Sequence, residues 1–70
     1  MKKQEQTLTN WLGSTCKVTL FKDKANNLSV WNETTNCLFE HEFGQDQDKL
    51  RAYMNRMFED ADAVVDAFLA

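Results

Sequence analysis

Cys16, Cys37 and the single histidine, His41, are the residues of this 70-residue chain best suited to metal or nucleophilic chemistry, and their spacing argues against both. Cys37 and His41 stand four residues apart in an alternating segment, about 13 Å along a strand, which is too far to share a metal ion. Cys16 and Cys37 fall on strands that flank a middle one, about 9–10 Å apart, whereas a disulfide needs Cα atoms within about 7 Å. Both thiols are expected to be free and inward-facing. No serine or acid is placed to pair with His41, which reads as a core histidine. Glu40 and Glu42 point the same way, about 7 Å apart, a separation compatible with an acid–base pair. On a wet strand face, however, nothing drives their pKa values apart. The expectation is no enzyme, no metal and no cofactor.

The elements that must position these residues follow from hydrophobic periodicity. Leu8, Trp11 and Leu12 are spaced as a short helical stripe, with Gly13 as its C-cap. From Cys16 to Lys22 the chain alternates, Cys16, Val18 and Leu20 on one face and Lys17, Thr19 and Phe21 on the other. Asp23 to Asn27 supplies turn chemistry, because Asn and Asp tolerate left-handed backbone. A second strand puts Leu28 and Val30 inward and Ser29, Trp31 and Glu33 outward. A turn over 33–36 leads to a third, with Cys37, Phe39, His41 and Phe43 inward and Leu38, Glu40 and Glu42 outward. Keeping the inward faces together pairs Val30 with Phe39, Asn32 with Cys37 and Trp31 with Leu38. Gly44 ends the strand and Asp46 caps a helix of about residues 47–68, whose stripe is Leu50, Met54, Met57, Ala61, Val64 and Phe68. The predicted fold, over a single domain of residues 1–70, is a two-layer α+β arrangement in the order α-β-β-β-α. A three-stranded antiparallel meander packs against the long C-terminal amphipathic helix.

Hydrophobic residues at 43% and charged residues at 27% place the chain among folded domains rather than disordered ones. The net charge of −3 is unevenly spread: residues 1–35 carry five bases against three acids, residues 36–70 three bases against eight acids. Direct nucleic-acid binding, which needs clustered Lys and Arg, is disfavoured, and a protein partner with a basic surface is expected. The charged start leads into no apolar signal core, and no run of apolar residues is long enough to span a bilayer, so the expected setting is the cytoplasm with no membrane contact.

Two surfaces stand out. Phe21, Trp31 and Leu38 occupy outward positions on adjacent strands, forming either the seat of the N-terminal helix or an exposed patch suited to a partner or a homodimer. Glu59, Asp60, Asp62 and Asp66 line the wet face of the long helix in its electronegative half, with Lys49, Arg51 and Arg56 nearer its start, the reverse of the order the helix dipole favours. Acids spread over about 10 Å of helix are spaced to imitate a phosphate track.

In size, acidity, lack of a catalytic motif and α-β-β-β-α order, the chain resembles the small inhibitors encoded by phages and mobile elements, among them anti-CRISPR proteins and other DNA-mimicking antagonists. The resemblance covers the whole chain and is one of style, without a diagnostic motif. It implies a non-enzymatic inhibitor of a nucleic-acid-processing machine in the host cytosol. Asn27-Leu28-Ser29-Val30 and Glu59-Asp60-Ala61-Asp62 are similar to segments of the small SOS-response modulators of the RecA filament, although that family has a two-stranded core. The alternative expectation is a small homodimeric adaptor or assembly subunit that uses the aromatic sheet patch.

Overall fold

The computed structural model describes residues 1–34 and 37–70. Four strands, β1 (Lys2–Thr9), β2 (Thr15–Lys22), β3 (Leu28–Glu33) and β4 (Leu38–Gly44), are followed by two helices, α1 (Gln47–Met57) and α2 (Ala61–Leu69). The strands form one antiparallel meander in the order β1-β2-β3-β4. The class is α+β as predicted, with a strand where the N-terminal helix was expected and two helices in place of the long one.

β1 escapes the hydrophobic pattern because its helix-side positions are mostly polar. Lys2, Gln4, Gln6 and Leu8 alternate toward the helices, and of these only Leu8 is apolar. The Lys2 and Gln4 stems lie over α2 while their heads reach its backbone; Gln6 accepts from Gln4 Nε2 at 3.3 Å, and its own Nε2 is buried without a partner. Lys2 Nζ donates to the carbonyls of Phe68 and, at 3.2 Å, of Ala70, and Gln4 Nε2 donates to Val64 O at 3.5 Å. A cation at the C-terminal end of α2 also suits the helix dipole. Trp11 and Leu12 are not core anchors: they sit in the β1–β2 turn, 62% and 93% exposed. Asn10 Oδ1 accepts from the N–H groups of Leu12 and Ser14, both at 3.0 Å, and Gly13 takes the left-handed position at φ 88°. Gly13 thus serves a hairpin rather than a helix C-cap.

The Asp23–Asn27 turn has the predicted chemistry: Asp23 Oδ1 accepts from the N–H groups of Ala25 and Asn27, and Asn26 is left-handed at φ 66°. In the next hairpin Thr35 and Asn36, part of the turn predicted over 33–36, lie outside the described residues. Thr34 N–H donates to Cys37 O at 2.8 Å, and the register is Glu33 with Leu38, Trp31 with Glu40, Asn32 with Phe39 and Val30 with His41. This differs from the predicted pairing by two residues, so the residues of β4 keep their predicted faces by parity. Phe39, expected to be an inward residue, is nevertheless 49% exposed, and Cys37 does not join the inward set. Cys37 consequently precedes β4 and is exposed, while Cys16 is buried; both are free. A register shift near Leu28 leaves Phe43 without a cross-strand partner, and Gly44, at φ 57°, ends β4.

The predicted helix breaks at Phe58–Asp60. Phe58 is extended, its N–H still bonded to Met54 O at 2.9 Å, and it forms an isolated bridge with Asn10; Glu59 N–H donates to Thr9 O at 2.9 Å. Asp60 then turns through left-handed backbone at φ 56° and ψ 30°. A continuous helix of 22 residues would run about 33 Å, longer than the roughly 26 Å of an eight-residue strand, so the fold returns α2 across the sheet. Asp46 caps α1 through Lys49 N–H as expected. The break relieves the reversed charge order in part: Asp48 and Asp62 lie in first turns and Arg56 in the last turn of α1, each on the side its helix dipole favours. Asp66 stays near the C-terminal end of α2, which has no base in its last turn.

Both helices pack on one face of the sheet. Cys16, Val18, Leu20, Leu28 and Val30 meet Leu50, Tyr53, Met54, Phe58, Ala61, Val65 and Phe68. Of the predicted helical stripe, Leu50, Met54, Ala61 and Phe68 are buried, while Met57 and Val64 are only half-buried at its margin and Phe58 and Val65 take their places. Asn32 is a polar member of this interior, its Nδ2 donating to the Tyr53 hydroxyl at 3.5 Å and its Oδ1 unpaired.

Candidate functional site

Because no helix among the described residues lies on the far side of the sheet, the side chains alternating to that side form an open face. β1 contributes Lys3, Glu5 and Thr7, β2 Lys17, Thr19 and Phe21, β3 Ser29, Trp31 and Glu33, and β4 Leu38, Glu40 and Glu42. Pairing of Thr19 with Trp31 and of Trp31 with Glu40 places Phe21, Trp31 and Leu38 on a diagonal across three strands. The Phe21 and Trp31 ring centroids are 5.0 Å apart at 58°, a tilted geometry that aromatic pairs favour. Trp31 is 41% exposed and Leu38 58%. A shallow concavity of about 440 Å³ opens beside the Phe21–Trp31 pair, lined by these two and by Glu40, Glu42 and Met1 among others. The predicted outward set is thus brought together.

Charge on this face is polarised. Toward β1, Lys3 and Glu5 pair at 3.1 Å, and the Lys3 ammonium holds the Glu5 carboxyl below its usual range. Toward β4, Glu33, Glu40 and Glu42 have no ion-pair partner among the described residues. The apolar diagonal is therefore bordered by acid on one side and by a mixed lysine-containing strip on the other.

The four acids of the predicted helix face occupy different settings. Asp62 and Asp66 of α2 converge on Arg51 of α1, at 3.1 Å to Nη1 and 2.6 Å to Nη2, and Asp62 also accepts from Asn55 Nδ2 at 2.9 Å. The Asn55 hydrogen bond, then Arg51, holds the Asp62 carboxyl below its usual range; Asp66 and then Asp62 raise the Arg51 guanidinium above its own. These residues tie the two helices together, while Glu59 and Asp60 lie in the break between them. Beside that break, Trp11 Nε1–H donates to Asn55 O at 3.0 Å, leaving the Trp11–Leu12 hairpin tip next to Asp60 and Asp62. Sequence reasoning placed Trp11 and Leu12 on the apolar stripe of a short N-terminal helix; the signal it lacked was the hairpin in which they stand exposed.

His41 is half-buried, its ring 4.5 Å from that of Tyr53. Burial raises the Tyr53 hydroxyl pKa. Among the described residues no three His, Cys, Asp or Glu side chains gather as metal ligands, and no helix is long and apolar enough to cross a membrane. Comparison with protein families, curated proteins and solved structures gave no significant match to this chain.

Proposed function

We propose that the protein is a non-enzymatic binding protein that blocks a cytosolic nucleic-acid-processing machine, as the small phage- and mobile-element-encoded inhibitors do. The observation that carries this reading is the helix-free sheet face, where Phe21, Trp31 and Leu38 form an apolar diagonal next to Glu33, Glu40 and Glu42. An apolar centre with aromatic anchors supplies affinity, and an acidic border steers a basic partner while repelling nucleic acid itself. Glu59, Asp60, Asp62 and Asp66 form a secondary contact in this reading, because Arg51 already offsets two of them.

A second reading is a homodimeric adaptor built on the same face. The polarised charge bears on it: a two-fold axis parallel to the strands would set Lys3 over Glu42 and Lys17 over Glu33 of a second copy, with Glu5 over Glu40 as a like-charge contact. Affinity capture from host lysate by the wild type and by Trp31→Ala in parallel separates the two. A basic nucleic-acid-binding protein retained by the wild type alone and released by salt supports the inhibitor reading. A stable dimer in sedimentation, with no such protein retained, supports the second.

A further inference from the structure

The meander has two edges, and the fold treats them differently. β1 begins with Lys2 and Lys3, charges of the kind that blunt an edge, and its far end is closed by Glu59 N–H on Thr9 O and by the Asn10–Phe58 bridge. β4 has no such backbone closure among the described residues, and its charges, Glu40 and Glu42, are acidic. Its outer edge carries no proline or lysine and, among the described residues, no covering segment, so alternate residues present unpaired N–H and C=O groups from Leu38 to the irregularity near Phe43. On one side of this edge stand Leu38, Glu40 and Glu42; on the other, Phe39 is 49% exposed where α1 leaves the sheet uncovered.

We infer that β4 is a docking edge for an extended basic segment of the partner, which adds to the sheet as a fifth antiparallel strand. Charge complementarity selects this occupant. Glu40 and Glu42 project from the same face about 7 Å apart, so basic residues two apart on the incoming strand stand opposite both. The residue between them lies over His41, the next meets Phe39, and the one after reaches Leu38. The segment therefore reads basic, apolar, basic, aromatic, apolar. A second copy's β4 is a poor occupant, because antiparallel self-pairing near the middle of the strand sets Glu40 against Glu40 or Glu42. The hydrogen bonds of strand addition supply affinity, and the alternating side chains supply selection.

This inference rests on the reading that the partner is basic, and it is tested without the partner. The probe is a capped peptide with the core Arg-Val-Arg-Phe-Val, titrated into isotope-labelled protein. The expected result is amide shift changes centred on Leu38–Glu42 with slowed hydrogen exchange there. A peptide of the same composition with both arginines adjacent should bind at least about tenfold more weakly, as should the parent peptide to the Glu40→Lys/Glu42→Lys double variant. N-methylation of alternate peptide nitrogens, chosen to face β4, should abolish binding while leaving charge and side chains intact. Equal binding by the N-methylated peptide, shift changes centred on Phe21 and Trp31 instead of β4, or no binding at millimolar peptide would overturn strand addition. The face-contact proposal stands or falls separately, on capture by Trp31→Ala.

Discussion

Replacing Phe58 by alanine distinguishes the broken helix from a continuous one with Met57 on its inner stripe. Phe58 is 1% exposed and meets Tyr53 edge-on, ring centroids 6.5 Å apart at 76°. A fully buried phenylalanine removes roughly 150–250 Å² from water, and truncation to alanine leaves a cavity besides, so Phe58→Ala should cost about 3–5 kcal/mol. Met57 is only half-buried at the margin of the core, and Met57→Ala should cost about 1 kcal/mol, below the range for a fully buried methionine. A domain of this size is stable by roughly 4–10 kcal/mol, which leaves the first variant near the limit of folding. Phe58→Leu, expected to cost about 1.5 kcal/mol, keeps the site measurable. Urea unfolding of all three variants at constant m-value gives the comparison. A loss at Met57 equal to or larger than that at Phe58 would refute the packing described here.

Cys37 should react with a thiol reagent within the dead time of a mixing experiment, while Cys16 reacts only on unfolding; equal protection of both, followed by mass spectrometry, would contradict the β4 start at Leu38. The Asp62 carboxyl titrates below its usual range in the folded chain, so its contribution to stability is present above the ordinary carboxylate pKa and is lost as pH falls through the lowered folded value. Arg51→Ala should flatten the acid side of the melting-temperature profile, and Asp62→Lys should destabilise at neutral pH; a gain on Asp62→Lys would revive the continuous-helix charge order. Removing both members of the buried Asn32–Tyr53 pair, in Asn32→Leu/Tyr53→Phe, should leave stability equal or higher, because it also removes the unpaired Asn32 Oδ1, whereas Tyr53→Phe alone should destabilise. Thermal melts of the two variants check this.

What the sequence displayed and what it hid divide along physical lines. β2, β3 and β4 were legible because apolar and polar residues alternate along most of their length and Asp23, Asn26 and Gly44 mark their ends. Parity alone was then enough to place Phe21, Trp31 and Leu38 on one face, even with the register two residues off. β1 was hidden because Lys2, Gln4 and Gln6 cover the core with aliphatic stems that a hydrophobicity pattern counts as polar. The spacing of Leu8, Trp11 and Leu12 meanwhile imitates a helix that a hairpin turn replaces. The break at Phe58 carries no glycine or proline, and Met54, Phe58, Ala61, Val65 and Phe68 keep helical spacing straight through it. Its cause is tertiary, the backbone contacts of Phe58 and Glu59 with Asn10 and Thr9. The acidic surface was legible as composition only, since the convergence of Asp62 and Asp66 on Arg51 requires α2 to fold back beside α1.

The proposal that the open sheet face is the contact surface is tested most directly by the affinity of the captured partner for three proteins at low and physiological salt: wild type, Trp31→Ala, and Asp62→Lys/Asp66→Lys. Loss of an aromatic anchor from the centre of an interface costs upward of about 2 kcal/mol, so Trp31→Ala should weaken binding at least about thirtyfold at both salts. The aspartate variant should lose far less, with its loss shrinking as salt rises. Unchanged affinity for Trp31→Ala together with abolished binding by Asp62→Lys/Asp66→Lys would contradict the account and put the contact on the helices.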